Sequence, residues 1–140
     1  MRKRYVVDTN CLLMMLSFKK AYHSLWLDFI NEKFDLVISN EILEEYLEVI
    51  GRNIRQDVAE YVSNVILNSD NVIRVSPAYR FGLIKADPDD NKFVDCAICG
   101  NAELIVTNDK HYNELDKVDF PKVLHINIDT WMHISGYNNY

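Results

Sequence analysis

Apolar residues in this chain fall into short unbroken runs separated by longer stretches with helical periodicity. Tyr5-Val6-Val7, Leu36-Val37-Ile38, Val72-Ile73-Arg74-Val75, Leu104-Ile105-Val106 and Val123-Leu124-His125-Ile126 are too short for amphipathic helices and do not alternate. They therefore read as strands buried on both faces. Between them, Thr9-Asn10 would cap a helix beginning at Cys11, and Leu25, Trp26, Phe29 and Ile30 mark a second helix over about Tyr22 to Asn31. Ser39 or Asn40 would cap a third helix running to Ile50, closed by Gly51. At about 100° per residue, Glu41, Glu44, Glu45 and Glu48 share one sector of that helix, with Glu45 at its edge beside Ile42 and Val49. Val58, Val62, Val65 and Ile66 face the core from a fourth helix, Val58 to Leu67. Asp87-Pro88-Asp89-Asp90 opens a fifth that ends near Cys99, with Asp87 as N-cap, Pro88 at the first helical position and Asp90 as the third residue of a capping box. A short helix starts at Asn108-Asp109, and a last turn or helix runs from Asp129 through Trp131 to Ile134. Strands alternating with helices predict an α/β fold with a parallel sheet covered on both faces.

Three acids occupy positions that this pattern makes conspicuous. Asp8 follows the first strand in VVDTN and Asp109 follows the fourth in LIVTND. Carboxylates just past the C-terminal ends of parallel strands lie where such sheets keep their binding crevices. Asp90 shares a helical face with Phe93, Val94, Ala97 and Ile98, and a carboxylate on an apolar face needs a partner or a metal. Each also has a plain structural reading, Asp90 as a helix cap and Asp8 and Asp109 as loop acids. Asp95 borders the polar side near Asn91 and reads equally as a surface charge or as part of the crevice. Acids gathered in one place repel one another and favour a bound cation. Mg²⁺ or Mn²⁺ is the expected cofactor.

Composition narrows the class. At 140 residues, with 49% apolar and 26% charged residues, the chain reads as one globular domain, and no run approaches a membrane span. Asp8 and Asn10 interrupt the N-terminal apolar stretch, so it does not read as a signal peptide. The three cysteines are expected to be buried or half-buried structural thiols in a reducing cytoplasm, because Cys96-x-x-Cys99 falls at a helix end. His23, His111, His125 and His133 show no metal-ligand spacing and read as core or surface residues. There is no Gly-rich phosphate loop and no nucleophile elbow. The net charge of −6 is unevenly spread, with +4 on residues 1–20 and −10 on the rest. A basic edge of Arg2, Lys3 and Arg4 beside an acidic crevice would steer a polyanion, although taken on their own the same residues read first as a solvated chain start.

In these blocks the chain resembles the PIN-domain family, metal-dependent nucleases that include the toxin halves of many bacterial toxin–antitoxin pairs. VVDTNCLL is similar to the family's opening strand. SNEILEEYLEVI is similar to its second block, in which a serine precedes the acid by six positions, which selects Glu45. DPDDNKFVDCAI is similar to its third, where Asp90 falls on the metal-binding acid, and LIVTNDKHY to its closing T-x-D. Asn108 departs from the glycine expected in many relatives. The resemblance implies a three-layer α/β/α sandwich with five parallel strands ordered 3-2-1-4-5. It implies hydrolysis of RNA by metal-activated water, leaving a 5′-phosphate and a 3′-hydroxyl, with an antitoxin as partner. PIN proteins are often dimers, but no apolar interface stripe is evident here. Asp8 and Asp90 would ligate the metal, with Glu45 and Asp109 acting through water or a second ion. Thr9, Asn10, Thr107 and Asn108 would orient the carboxylates, and Arg2, Lys3, Arg4, Lys92 and Lys110 are candidate phosphate contacts. Two other readings stand beside it: a catalytically silent PIN-like nucleic-acid-binding module, and a receiver-like phospho-acceptor domain, against which Ser76-Pro77 at the end of the third strand counts.

Overall fold

Each apolar run forms a strand in the computed structural model, which describes residues 2–17 and 20–135. In chain order the elements are β1 (Arg4–Val7), α1 (Thr9–Leu16), α2 (Lys20–Ile30), β2 (Asp35–Ile38), α3 (Asn40–Asn53), α4 (Gln56–Asn68), β3 (Val72–Arg74), α5 (Asn91–Cys99), β4 (Leu104–Val106), β5 (His125–Ile126) and α6 (Ile128–Ser135). Two 3₁₀ turns, Pro88–Asp90 and Lys110–Lys117, precede α5 and follow β4. The sheet is parallel throughout, in the order β3-β2-β1-β4-β5. This is the α/β architecture implied by the family resemblance. No helix among the described residues is long and apolar enough to cross a membrane.

The order makes β1 the central strand and β1/β4 the place where the winding reverses direction. Val6 and Val7 are wholly buried because both their faces are covered, and Tyr5, Phe34 and Trp131 meet edge to face beneath them. The Tyr46 hydroxyl donates to the Val7 carbonyl, which pins α3 to the C-terminal end of β1. Gly100 permits the end of α5 to approach β2, since a Cβ there would collide with the Val37 side chain.

Several expected boundaries shift. Helix α1 begins at Thr9 rather than Cys11, so Asp8 occupies the N-cap position and Thr9 and Asn10 lie inside the helix. Gly51 does not close α3, which continues to Asn53 with Glu48 and Arg52 paired one turn apart; a glycine permits a helix end without imposing one. Strand β5 is only two residues long, with Val123 buried before it and Leu124 exposed. Cys11 and Cys96 are buried, but Cys99 is exposed at the open end of α5, contrary to the expectation for all three thiols.

Candidate functional site

Parallel pairing aligns Val7 with Val106, so the residues that follow, Asp8 and Thr107, emerge side by side. The Asp8 N–H donates to the Val106 carbonyl at 2.9 Å. The Thr107 hydroxyl donates to Asp8 Oδ2 at 2.8 Å while its oxygen accepts from the Asp109 N–H at 3.1 Å. Asp109 in turn accepts from the His111 N–H at 2.9 Å and so caps the following 3₁₀ turn. One buried threonine thus fixes two of the acids.

Helix α3 delivers Glu45 to the same rim. One carboxylate oxygen accepts from the Thr9 hydroxyl, and the other meets Lys92 Nζ at 2.6 Å. Lys92 also reaches Asp89 at 2.9 Å, and only 7% of its side chain is exposed. It is committed to two carboxylates and not offered to solvent as a phosphate contact. Asp90 arrives from the turn before α5. The expected N-cap forms, with Asp87 accepting from the Asp89 N–H at 3.3 Å, but the capping box does not. The Asp90 side chain is directed into the cluster instead, with Oδ2 buried and without a hydrogen-bond donor.

Burial and mutual repulsion disturb Asp8 and Asp90 strongly. Desolvation pushes Asp90 up to about 7, helped by Asp87, Asp109 and Asp8 nearby. Asp8 is pushed up to about 6, mainly by desolvation, with Glu45 and Asp109 adding repulsion and the Thr107 and Thr9 hydrogen bonds opposing it. At neutral pH the crevice therefore favours a counter-charge, and clefts with such perturbed groups are functional-site candidates. Donor atoms of Asp87, Asp90, Asp109 and His111 all lie within 4.8 Å of one another. Oxygen-rich donors around an orphaned buried carboxylate oxygen fit a hard divalent cation.

The remaining candidates are spread wider. Asp95 is buried, but its Oδ1 accepts from the Phe81 N–H at 3.2 Å, and it lines a neighbouring cavity of about 180 Å³ with Ser39, Arg80 and Lys92. Arg2, Lys3 and Arg4 do not stand beside the acids, because Arg4 begins β1, Arg2 and Lys3 precede it, and Asp8 follows its far end. Arg2 pairs with Asp35, Lys3 with Glu103, and Arg4 donates to the Gly100 carbonyl. Lys110 is exposed next to Asp109, and Asn10 is exposed on α1. Asn108 accepts from the Ile128 N–H at 3.0 Å and so braces α6 rather than a carboxylate. His111 is an exposed surface residue, as expected, yet its ring stands among the acids, and Asp87, read only as a cap, stands there too. Spacing was the available signal: Asp87 lies one 3₁₀ turn before Asp90, and His111 two residues after Asp109.

A family model described as the PIN domain matches residues 4–111, a span that contains every acid of the cluster. The chain belongs to the PIN-domain family. No curated protein matches it significantly in sequence. Among solved structures, it is similar to a chain of VapBC2 from Rickettsia felis bound to a promoter DNA fragment, at 18% identity and a TM-score of 0.60, covering 89% of this chain and 98% of that one. A chain of DNA-bound VapBC from Salmonella typhimurium is similar at 18% identity and a TM-score of 0.58, covering 91% and 98%. The PIN domain endonuclease Utp24 is similar at 19% identity and a TM-score of 0.53, covering 89% and 84%. These likenesses establish a shared PIN fold.

Proposed function

We propose that this PIN domain is a metal-dependent endoribonuclease, with Mg²⁺ or Mn²⁺ as cofactor and RNA as substrate, acting in the cytoplasm as the toxin of a toxin–antitoxin pair. The observation that carries the reading is Asp90, a buried carboxylate with an unsatisfied oxygen facing other acids across the β1/β4 crevice. A bound divalent ion supplies Lewis acidity, lowering the pKa of a water and neutralising charge that builds on a phosphodiester. Asp8, Asp90 and Asp109 are the residues that would hold it. Thr107 orients Asp8, and Thr9 with Lys92 fixes Glu45 at the rim. Lys92 also limits the negative charge that an incoming phosphate meets. The Cys11 thiol, close to Asp8 in sequence, is buried and pushed up to about 12, so it is not poised as a nucleophile, and the Thr9 and Thr107 hydroxyls are engaged by carboxylates.

The family assignment and the likeness to an endonuclease support cleavage, and the likeness to two chains from VapBC assemblies supports a protein partner. Labelled RNA incubated with purified protein tests the reaction. Cleavage is expected with Mn²⁺, none with EDTA, and a loss of at least about 100-fold in Asp8→Asn. Metal-independent cleavage, or equal cleavage by the variant, would overturn it. A small neighbouring gene encoding a DNA-binding protein, whose product suppresses cleavage, would support the toxin assignment.

A further inference from the structure

The acid cluster contains one donor of a different chemical kind. His111 Nδ1 lies 3.3 Å from Asp109 Oδ1, 3.8 Å from Asp87 Oδ2 and 4.0 Å from Asp90 Oδ2. Two atoms bound to one small divalent ion at about 2.1 Å are at most about 4.2 Å apart. The imidazole nitrogen therefore stands within shared-ion distance of all three carboxylates. The nearest buried acceptor, Asp90 Oδ2, has no hydrogen-bond donor to satisfy it. Core packing does not explain where the ring sits, since 48% of the His111 side chain is exposed. Its backbone is held in place by the bond from its N–H to Asp109.

We infer that His111 is a direct nitrogen ligand of the divalent ion, through Nδ1, and that this ligand makes the site select first-row transition ions over Mg²⁺. The inference rests on the metal-dependent reading above and extends it to ligand set and ion choice. Mg²⁺ prefers oxygen donors and gives up its waters reluctantly, so an imidazole adds little to its binding. Binding of nitrogen donors strengthens along the series from Mn²⁺ to Co²⁺, so the benefit of His111 should grow in that order. Asp90 and Asp109 supply oxygen donors common to all three ions, and Asp87 stands within reach of the same ion.

The competing role for His111 is electrostatic, as a cation balancing the acids. The two roles predict opposite outcomes. Loss of a balancing cation would tighten every divalent ion alike, whereas loss of a ligand weakens the ions that use nitrogen. Calorimetric titration of Mg²⁺, Mn²⁺ and Co²⁺ into the wild-type chain and His111→Gln near neutral pH separates them. Co²⁺ affinity is expected to fall on the order of 10- to 100-fold, Mn²⁺ by less, and Mg²⁺ by no more than about twofold. The visible absorption of bound Co²⁺ should shift at the same time, reporting a lost nitrogen ligand. Equal changes for all three ions, tighter binding, or no change would overturn the inference, as would failure of the wild type to bind any of them. RNA cleavage is scored separately. His111-dependent ion selectivity without cleavage would sink the nuclease reading alone, and metal-dependent cleavage with unaltered selectivity would sink this inference alone.

Discussion

The Thr107 hydroxyl donates to Asp8 Oδ2 across 2.8 Å, joining the ends of two strands that are 99 residues apart in sequence. The same oxygen accepts from the Asp109 backbone, so this one side chain sets the separation of the two strand-end acids. Thr107→Val keeps the shape and removes both bonds. Asp8 then loses the strongest influence opposing its desolvation, and its pKa rises further. Metal affinity is expected to fall on the order of tenfold, with stability lower by about 1 kcal/mol. Thr107→Ser should restore most of the affinity, as measured by calorimetry beside thermal melts.

Asp8 and Asp90 are raised from an ordinary 3.8 to about 6 and about 7. Because the folded chain holds these protons more tightly than the unfolded chain, their contribution to stability is greatest below about pH 4 and is lost as pH rises towards 7. Without metal, the melting temperature of Asp90→Asn should therefore exceed that of the wild type above pH 7, with the gap narrowing as pH falls and closing only near pH 4. Saturating Mn²⁺ should reverse the order above pH 7, since only the wild type gains from the ion. Melting curves against pH, with and without Mn²⁺, measure both.

Lys92 joins Glu45 and Asp89 with its ammonium largely out of water. Lys92→Met removes the cation and leaves Glu45 half-buried with only Thr9 as a donor. Stability should drop by about 2 kcal/mol, less than the ~3–5 kcal/mol of a fully buried pair because both carboxylates keep some access to water. In Lys92→Met/Glu45→Gln much of that loss should be recovered. A double-mutant cycle in urea tests the coupling.

Gly100→Ala introduces a Cβ where the end of α5 meets Val37. Overpacking of this kind costs about 1–3 kcal/mol. The position lies at the opposite end of α5 from Asp90, so metal affinity should remain within about twofold of wild type while the chain melts earlier.

Fold and site were not equally legible in the sequence. Apolar runs such as VVD and LIVTND announce buried strands directly, because a strand covered on both faces has no polar positions to disguise it. Boundaries were harder to read. Thr9 and Asn10 look like caps, yet Asp8 takes the N-cap position and both lie inside α1, with Thr9 turned to Glu45 on α3, and Gly51 looks like a stop in a helix that continues for two residues. Asp8 and Asp109 were visible as candidates from strand-end placement alone, whereas selecting Glu45 over Glu44 required the family pattern. Asp87 and His111 were missed although each lies close in sequence to a recognised acid: Asp87 already had a role as the cap of the turn that carries Asp90, and His111 reaches Asp90 only because the turn after β4 folds back towards that one. The role of Lys92 was also hidden. Its partner Glu45 is 47 positions away, and an isolated lysine near an acidic motif looks like a phosphate contact. The basic start of the chain misled for a simpler reason: a strand has two ends, and Arg2-Lys3-Arg4 lies at the one away from the acids.

Whether carboxylates from separate elements converge on a divalent ion is read from crystals soaked in Mn²⁺ and measured for anomalous scattering. A peak is expected within bonding distance of an Asp90 carboxylate oxygen and of at least one of Asp8 and Asp109, and it should vanish in Asp90→Asn. An anomalous map with no peak among these acids, or one unaffected by Asp90→Asn, would overturn the metal site.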